Sequence, residues 1–411
     1  MNVSLKRRGA TLVVGLSLVG LSVATSGTAS AATAKVPAGL SVNSFNTSFA
    51  VMAKLKGLTA AGKGLVGVVL PDTTSSTRYV DFDAPLLTKA FQKAGYKSSQ
   101  YKIDNAQGVD ATQLADVQAD ISLGATVIVF DPLDPTVGAQ AEAYAQSHGV
   151  AFISYDRATF VGKKTYYVSF NNFKVGQLIG QGLEACVTAW GVKSPKVFEL
   201  DGGEDTDPNA ISFAQGYNSV IWNSNQTPLS TGKTNKKGYT LVGDQITPSW
   251  TNSLGATIFQ QQFTAHPEIN ATVEANDGLA NVVISDLKNA GVGPKKIPTT
   301  GQDAQLTGMT NILTGYQCGT VYKPVYLEAQ DAVVLATILR AHQTPPKALV
   351  NATTTPPKGA TGKTQPASLL APKWVTTANM NSTVIKDGWV SPSALCAAAG
   401  ASACAAAGIT P

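Results

Sequence analysis

The sequence predicts an α/β protein built as two doubly wound, parallel-sheet lobes, and three observations carry that expectation. The chain has 411 residues, more than the roughly 150 that one ordinary core absorbs. From Gly64 onward, short apolar runs alternate with segments of helical period, and this alternation pauses after TYYVSFNN and begins again. Polar residues stand where apolar runs end, at Asp72, Asp131, Asp156-Arg157, Asn171-Asn172, Asp201, Asn276-Asp277 and Asp303. Parallel sheets covered by helices on both faces have this alternation. Any one of these polar residues could simply cap the next helix, but so many strand exits together predict two lobes whose strand ends face a shared cleft.

The elements follow in order. GLVGVVLPD reads as a buried strand and DAPLLTKAFQKAG as a helix stopped by Gly95. SSQYKID is a strand, a helix runs to Gly124, ATVIVF is a strand, a helix runs to Gly149, and VAFISYD is a strand. After TYYVSFNN come the helix FKVGQLIGQGLEACVTAW, strand KVFELD, helix AISFAQGYNSVIWN, strand YTLVGDQ and helix TNSLGATIFQQQFTAH. ATVEAND, the helix GLANVVISDLKNAG, KKIPTTGQD as a further buried strand, and AQLTGMTNILTG complete the second run. Residues 35–62 show no clean period and read as a leader or lid, and the Pro/Thr-rich stretch 341–372 reads as an extended surface connection.

The net charge of +5 is mild. Lys6, Arg7 and Arg8 precede ATLVVGLSLVGLSV and then small residues, the order of a secretory signal peptide with an expected cut after Ala31. Its apolar core is short for a membrane span. No cysteine follows it, so an exported, soluble protein without a lipid anchor is expected. Four cysteines can pair in three ways. The proximity of Cys396 and Cys404 favours a short disulfide loop, leaving Cys186 with Cys318, and free buried thiols are the alternative.

Several motifs point away from enzymes. Gly62, Gly64 and Gly67 match G-x-G-x-x-G by letter but lead into a strand instead of opening a helix. The loop DGGEDTDPN fails as a calcium loop, because counting from Asp205 puts Ala210 where the tight turn needs glycine. His148, His266 and His342 fall at helix ends, and Asp131 with Asp134 in FDPLDP reads as turn chemistry. No nucleophile with a base and no metal set is evident.

The stretches SYDRATF, YYVSFNNFKVGQL, DGGEDTDPNA, VGDQITPSW, EANDGLA, TGQDAQLTGM, GTVYKP and VIKDGW follow in that order. Together they resemble the periplasmic xylose-binding proteins of ABC sugar uptake, within the ribose- and galactose-binding group, over roughly Gly64 to Val390. The long N-terminal segment, the Pro/Thr-rich insert and the cysteine-bearing tail depart from that pattern. The resemblance implies a type I periplasmic binding protein fold, with a three-strand hinge crossing near Phe170 to Asn172, near Tyr322 to Pro324, and after the Pro/Thr-rich segment. With the signal-like segment at 1–31 and the N-terminal extension at 32–61 set apart, it implies an N-lobe of 62–170 plus 324–372, and a C-lobe and tail of 171–323 plus 373–411.

Residue by residue, the resemblance implies that Arg78, Tyr79 and Arg157 contact sugar from the N-lobe, and that Asp207, Asn209, Trp250, Asn276, Asp303 and Lys323 contact it from the C-lobe and hinge. The family more often carries Trp where this chain has Tyr79. A pyranose presents hydroxyls at its rim and C–H groups on its faces, so planar Asp, Asn and Arg suit the edge and aromatics suit the faces. The expected ligand is a neutral aldopentose, D-xylose first, with another monosaccharide (glucose, ribose or galactose) as the alternative, and the expected partner an ABC permease, for a monomer with no cofactor, metal, catalysis or nucleic acid. A chemoreceptor-coupled role, a repressor core and a secreted glycosidase are the alternatives. A repressor would need a helix-turn-helix where this chain has its signal-like segment.

Overall fold

The computed structural model describes Met1, residues 34–162 and residues 165–411. The expected signal peptide therefore lies, apart from Met1, outside the described residues. In chain order the strands are β1 (Leu65–Leu70), β2 (Tyr101–Asn105), β3 (Ala125–Phe130), β4 (Ala151–Tyr155), β5 (Thr165–Phe170), β6 (Lys196–Gly202), β7 (Thr240–Thr247), β8 (Ala271–Glu274), β9 (Thr320–Tyr322), β10 (Ala352–Thr354), β11 (Gln365–Leu370) and β12 (Lys373–Val375). One sheet runs β10-β11-β5-β4-β3-β1-β2, parallel except for β10, and a second runs β7-β6-β8, all parallel. β9 and β12 pair antiparallel beside them.

β-branched residues make β1 and β3 near-continuous apolar runs because both faces are covered. Val66, Val68 and Leu70 pack against the helices Ala84–Lys93 and Val325–Arg340. Val69, Ile128 and Phe130 on the other face pack against the helices Asp110–Ser122 and Pro135–Ser147. In the second sheet, Phe198, Leu200 and Val273 pack among the helices Asn172–Ala189, Pro208–Ile221, Asn252–Ala265 and Asp277–Asn289. The first two of these helices touch backbone to backbone: a Cβ on Gly176 would collide with the Phe213 carbonyl, and one on Gly216 with the Phe173 carbonyl. The chain leaves the first sheet at Phe170, returns through Tyr322 to Val325, and crosses again between Leu370 and Lys373. Cys186 is joined to Cys318 and Cys396 to Cys404, as paired from the sequence.

Three expectations need correction. The described part of the N-terminal segment is neither leader nor lid. Leu40, Phe45, Phe49, Met52, Leu55 and Leu58 lie within the first sheet's core, and no single period shows because they are spread over loop, a 3-10 turn (Ala50–Leu55) and a short helix (Lys56–Ala61). The Pro/Thr-rich stretch is also more than a surface connection, since it contains β10 and the interior strand β11, which pairs with β5. Finally, residues 297–302 run extended without a ladder. The Pro298 carbonyl accepts the Thr272 N–H of β8 at 2.8 Å, but Pro298 has no N–H to give in return, and the buried Glu274 carboxyl group accepts the Thr300 N–H at 2.8 Å in place of a strand carbonyl. A single bridge, Gln302 to Val321, remains.

Candidate functional site

The carboxyl ends of β1, β4, β6 and β8 and the β9 hinge converge on a narrow, polar-lined cavity between the sheets. Arg78, Tyr79, Arg157, Asn209, Trp250, Asn276, Asp303 and Lys323 all line it. Asp207 is placed just outside. Its Oδ1 caps the helix Pro208–Ile221, accepting the N–H groups of Asn209 and Ala210 at 2.8 and 3.3 Å, while its Oδ2 accepts the Trp250 indole N–H at 2.9 Å. It therefore fixes the tryptophan and lines the adjoining cavity. Capping and site-building are not exclusive here, because Asn276, a lining residue, also caps a helix, its Oδ1 accepting the Leu279 N–H at 2.8 Å.

Arg78 is an anchor as much as a lining residue. Of its five N–H donors, Nε and one on Nη2 go to Asp83 at 2.9 Å each, another on Nη2 goes to Glu328 at 2.8 Å, and one on Nη1 goes to Asp156 at 2.8 Å. One Nη1 donor is left over. Arg157 is less committed: Nη1 donates to Asp131 at 3.2 Å and to the Pro132 carbonyl at 3.4 Å, which leaves Nε and Nη2. Both guanidinium carbons lie within 6 Å of the Tyr79 ring centroid, at 5.5 and 5.8 Å, in cation–π range.

The centre of the cavity carries opposed charges that do not close on each other. Lys323 Nζ lies 3.6 Å from Asp156 Oδ1 and 3.8 Å from Asp303 Oδ1, beyond normal hydrogen-bond length. Burial pushes the Asp156 carboxyl up, but Arg78, Lys323 and Arg157 outweigh it and hold the group below the ordinary carboxylate range. For Asp303 burial wins over Lys323 and Arg78, and its carboxyl is raised. Gln302 adds a buried Oε1 without a partner.

Two aromatic surfaces complete the enclosure. The Trp250 ring lies flat against the backbone at Gly202, where any Cβ would collide with it, and meets Phe213 edge-on with centroids 6.2 Å apart. Asp156, Ser249, Trp250 and Asp303 all have left-handed backbone, with φ of 55°, 52°, 55° and 93°. Strain in non-glycine residues of this kind concentrates where a side chain must be aimed for function.

Across the cleft, Asn209 Nδ2 donates to the Asp156 carbonyl at 3.1 Å and Asn172 Nδ2 to Asn209 Oδ1 at 2.7 Å. A second tie is made by the loop between β10 and β11, where the Lys358 carbonyl accepts from Gln215 Nε2 at 2.9 Å. Sequence reasoning placed Asp156 at a strand exit facing the cleft without giving it a sugar contact, and missed Gln302, Ser75, Ser76 and Phe213 as lining residues. Gln302 adjoins the chosen Asp303, which is the signal that could have found it. Phe213 gives none, being one apolar residue on an apolar helix face.

The periplasmic binding protein domain family matches residues 66–343. A multiple sugar-binding periplasmic protein of Azospirillum brasilense is 30% identical, covering 80% of this chain and 90% of its own length. A D-xylose-binding periplasmic protein of Escherichia coli is 32% identical, covering 72% of this chain and 84% of its own length. Among solved structures, a carbohydrate transporter solute-binding protein from Chloroflexus aurantiacus, in complex with D-glucose, superimposes with a TM-score of 0.66 at 26% identity, covering 81% of this chain and 98% of that one. The chain belongs to the periplasmic binding protein domain family and has its two-lobed type I fold.

Proposed function

We propose that this chain is an exported, monomeric binding protein that closes its two lobes on a neutral aldopentose, D-xylose first, and delivers it to an ABC permease. It is a binding protein and not an enzyme. The observation that carries the reading is the unclosed set of Lys323, Asp156 and Asp303, buried groups spaced for hydroxyls to be received between them. The cationic lining residues Arg78, Arg157 and Lys323 are offset by Asp156 and Asp303 in the lining and by Asp83, Glu328 and Asp131 behind it. With no cation left uncompensated, the site suits a neutral polyol better than an anion. Tyr79, Trp250 and Phe213 offer surfaces for the C–H faces of a ring. Half the contacts come from each lobe, so ligand favours the closed form by binding it more tightly than the open one.

D-Xylose and D-glucose share their ring hydroxyl pattern and differ by one CH₂OH. A cavity walled by Trp250, Tyr79 and Phe213 would exclude that group, at a cost of about 1–3 kcal/mol. A broader monosaccharide specificity is the second reading, favoured by the multiple sugar-binding relative and the glucose complex. Titrating the protein's tryptophan fluorescence with D-xylose, D-glucose, D-ribose and L-arabinose tests both. D-Xylose is expected to bind at least about tenfold more tightly than D-glucose. Comparable affinities would favour the broad reading, and no response to any sugar would overturn sugar binding.

A further inference from the structure

The cavity described above is not sealed. It meets a second, larger one, with about 1190 Å³ of empty space that runs out to solvent, and the two share Ser75, Arg157 and Trp250. Each shared residue is held from the side. Ser75 Oγ donates to Asp72 at 2.6 Å, Arg157 Nη1 to Asp131 and the Pro132 carbonyl, and Trp250 Nε1 to Asp207. They form a fixed collar between two spaces even though the lobes are tied across the cleft by Asn209 and Gln215.

The outer space has the makings of a carbohydrate surface. Pro132, Leu133 and Pro208 give it apolar relief against which C–H groups can lie. Asp110, Asp134 and Glu204 bring acceptors for hydroxyls, and Glu204 is already aimed by the N–H and hydroxyl of Ser249, at 2.9 and 2.8 Å on Oε1, which leaves Oε2 over. Arg157 is its sole cationic lining residue among the described ones, and that charge is shared with the inner cavity.

We propose that the outer cavity is a second sugar subsite, so that the protein takes a neutral disaccharide with one ring in the inner cavity and the next, joined through the collar, in the outer. This rests on the inner cavity's being a sugar site. The carboxylate-rich lining also sets a selectivity: a second ring bearing a carboxylate is repelled, while an uncharged one is not.

Calorimetry with D-xylose, xylobiose and a glucuronic-acid-substituted xylose is the test, on the wild-type chain and on Thr74→Trp and Leu133→Trp. Both positions line only the outer cavity, and Thr74 is exposed, so a tryptophan there intrudes on the second ring with little effect on folding. Xylobiose is expected to bind within about tenfold of D-xylose, and the acidic disaccharide at least about tenfold more weakly than xylobiose. Either tryptophan is expected to weaken xylobiose by about tenfold or more while leaving D-xylose within about threefold. Binding of D-xylose without xylobiose, or xylobiose binding indifferent to both variants, would overturn the second subsite and leave the inner site standing. Binding of neither sugar would remove both.

Discussion

Lys323 and Asp303 face each other at 3.8 Å inside the protein without making a hydrogen bond, although Lys323 is buried and Asp303 largely so. Groups of opposite charge in so little water would ordinarily close the gap. The Asp303 backbone is pinned, with φ 93° and its N–H bonded to the Val321 carbonyl at 2.8 Å. A sugar hydroxyl placed between them can donate to the carboxylate and accept from the ammonium. Asp303→Asn keeps the shape but turns one acceptor into a donor, so sugar binding is expected to weaken by about 1.5–3 kcal/mol. Calorimetry would show it, and unchanged affinity would remove Asp303 from the site.

Arg78 should behave differently from Lys323. Its loss strands buried Asp83 and Glu328 without their cation and takes from Asp156 its hydrogen-bonded one, so Arg78→Ala is expected to cost about 3–5 kcal/mol of stability even without sugar. Lys323→Met, which breaks no hydrogen bond within the protein, is expected to lose sugar binding with a much smaller change in melting temperature. Thermal melts of the two variants without ligand separate an anchor from a contact.

Gly202→Ala tests the aromatic wall. The added methyl occupies the place of the Trp250 ring, which must swing away from Asp207. The expected result is a folded protein whose tryptophan fluorescence no longer responds to sugar and whose affinity falls by at least about tenfold. A wild-type titration would show that the ring does not build the site.

The loop between β10 and β11 ties the lobes through Lys358 and Gln215. Replacing Pro356–Gly362 with a short Gly/Ser linker is expected to weaken sugar binding and speed its release, because the closed form loses a contact that an open form would not make. Stopped-flow dissociation rates check this, and unchanged rates would show the tie to be incidental.

Glu274 supplies a pH prediction. Burial pushes its carboxyl from 4.5 to about 8, against the hydrogen bonds that favour its charged form. The native protein thus holds a proton that the unfolded chain has already released, so stability falls as pH rises between about 4.5 and about 8. Glu274→Gln has no such proton to lose and can still accept the Thr300 N–H. Denaturation at pH values across that window is expected to show a flatter profile for the variant than for the wild type.

Most of the two sheets was legible because strands buried on both faces write themselves as unbroken apolar runs, as in LVGVVL and ATVIVF. The failures share a cause. Residues 297–302 look like another such run, but their hydrogen bonds are shared among scattered groups, the β8 backbone at Thr272, the Glu274 side chain, Cys318 and the hinge strand, and none of these leaves a local mark. β11 was hidden in Pro- and Thr-rich surroundings, and its place beside β5 depends on a pairing across about two hundred residues.

By itself the sequence determined the alternation of strands and helices and the polar residues at the strand exits, because both follow from periodicity and from the ends of elements, which are local properties. Only the tertiary structure decided which of those polar groups keep capacity for a ligand. Arg78 and Arg157 look alike as letters, as do Asp207 and Asp303. Yet Arg78 is largely spent on Asp83 and on Glu328, 250 residues away, and Asp207 on a helix end and the Trp250 indole, while Arg157 and Asp303 remain open to the cavity. Hydrogen-bonding capacity is what partners leave over, and the partners are chosen by the fold.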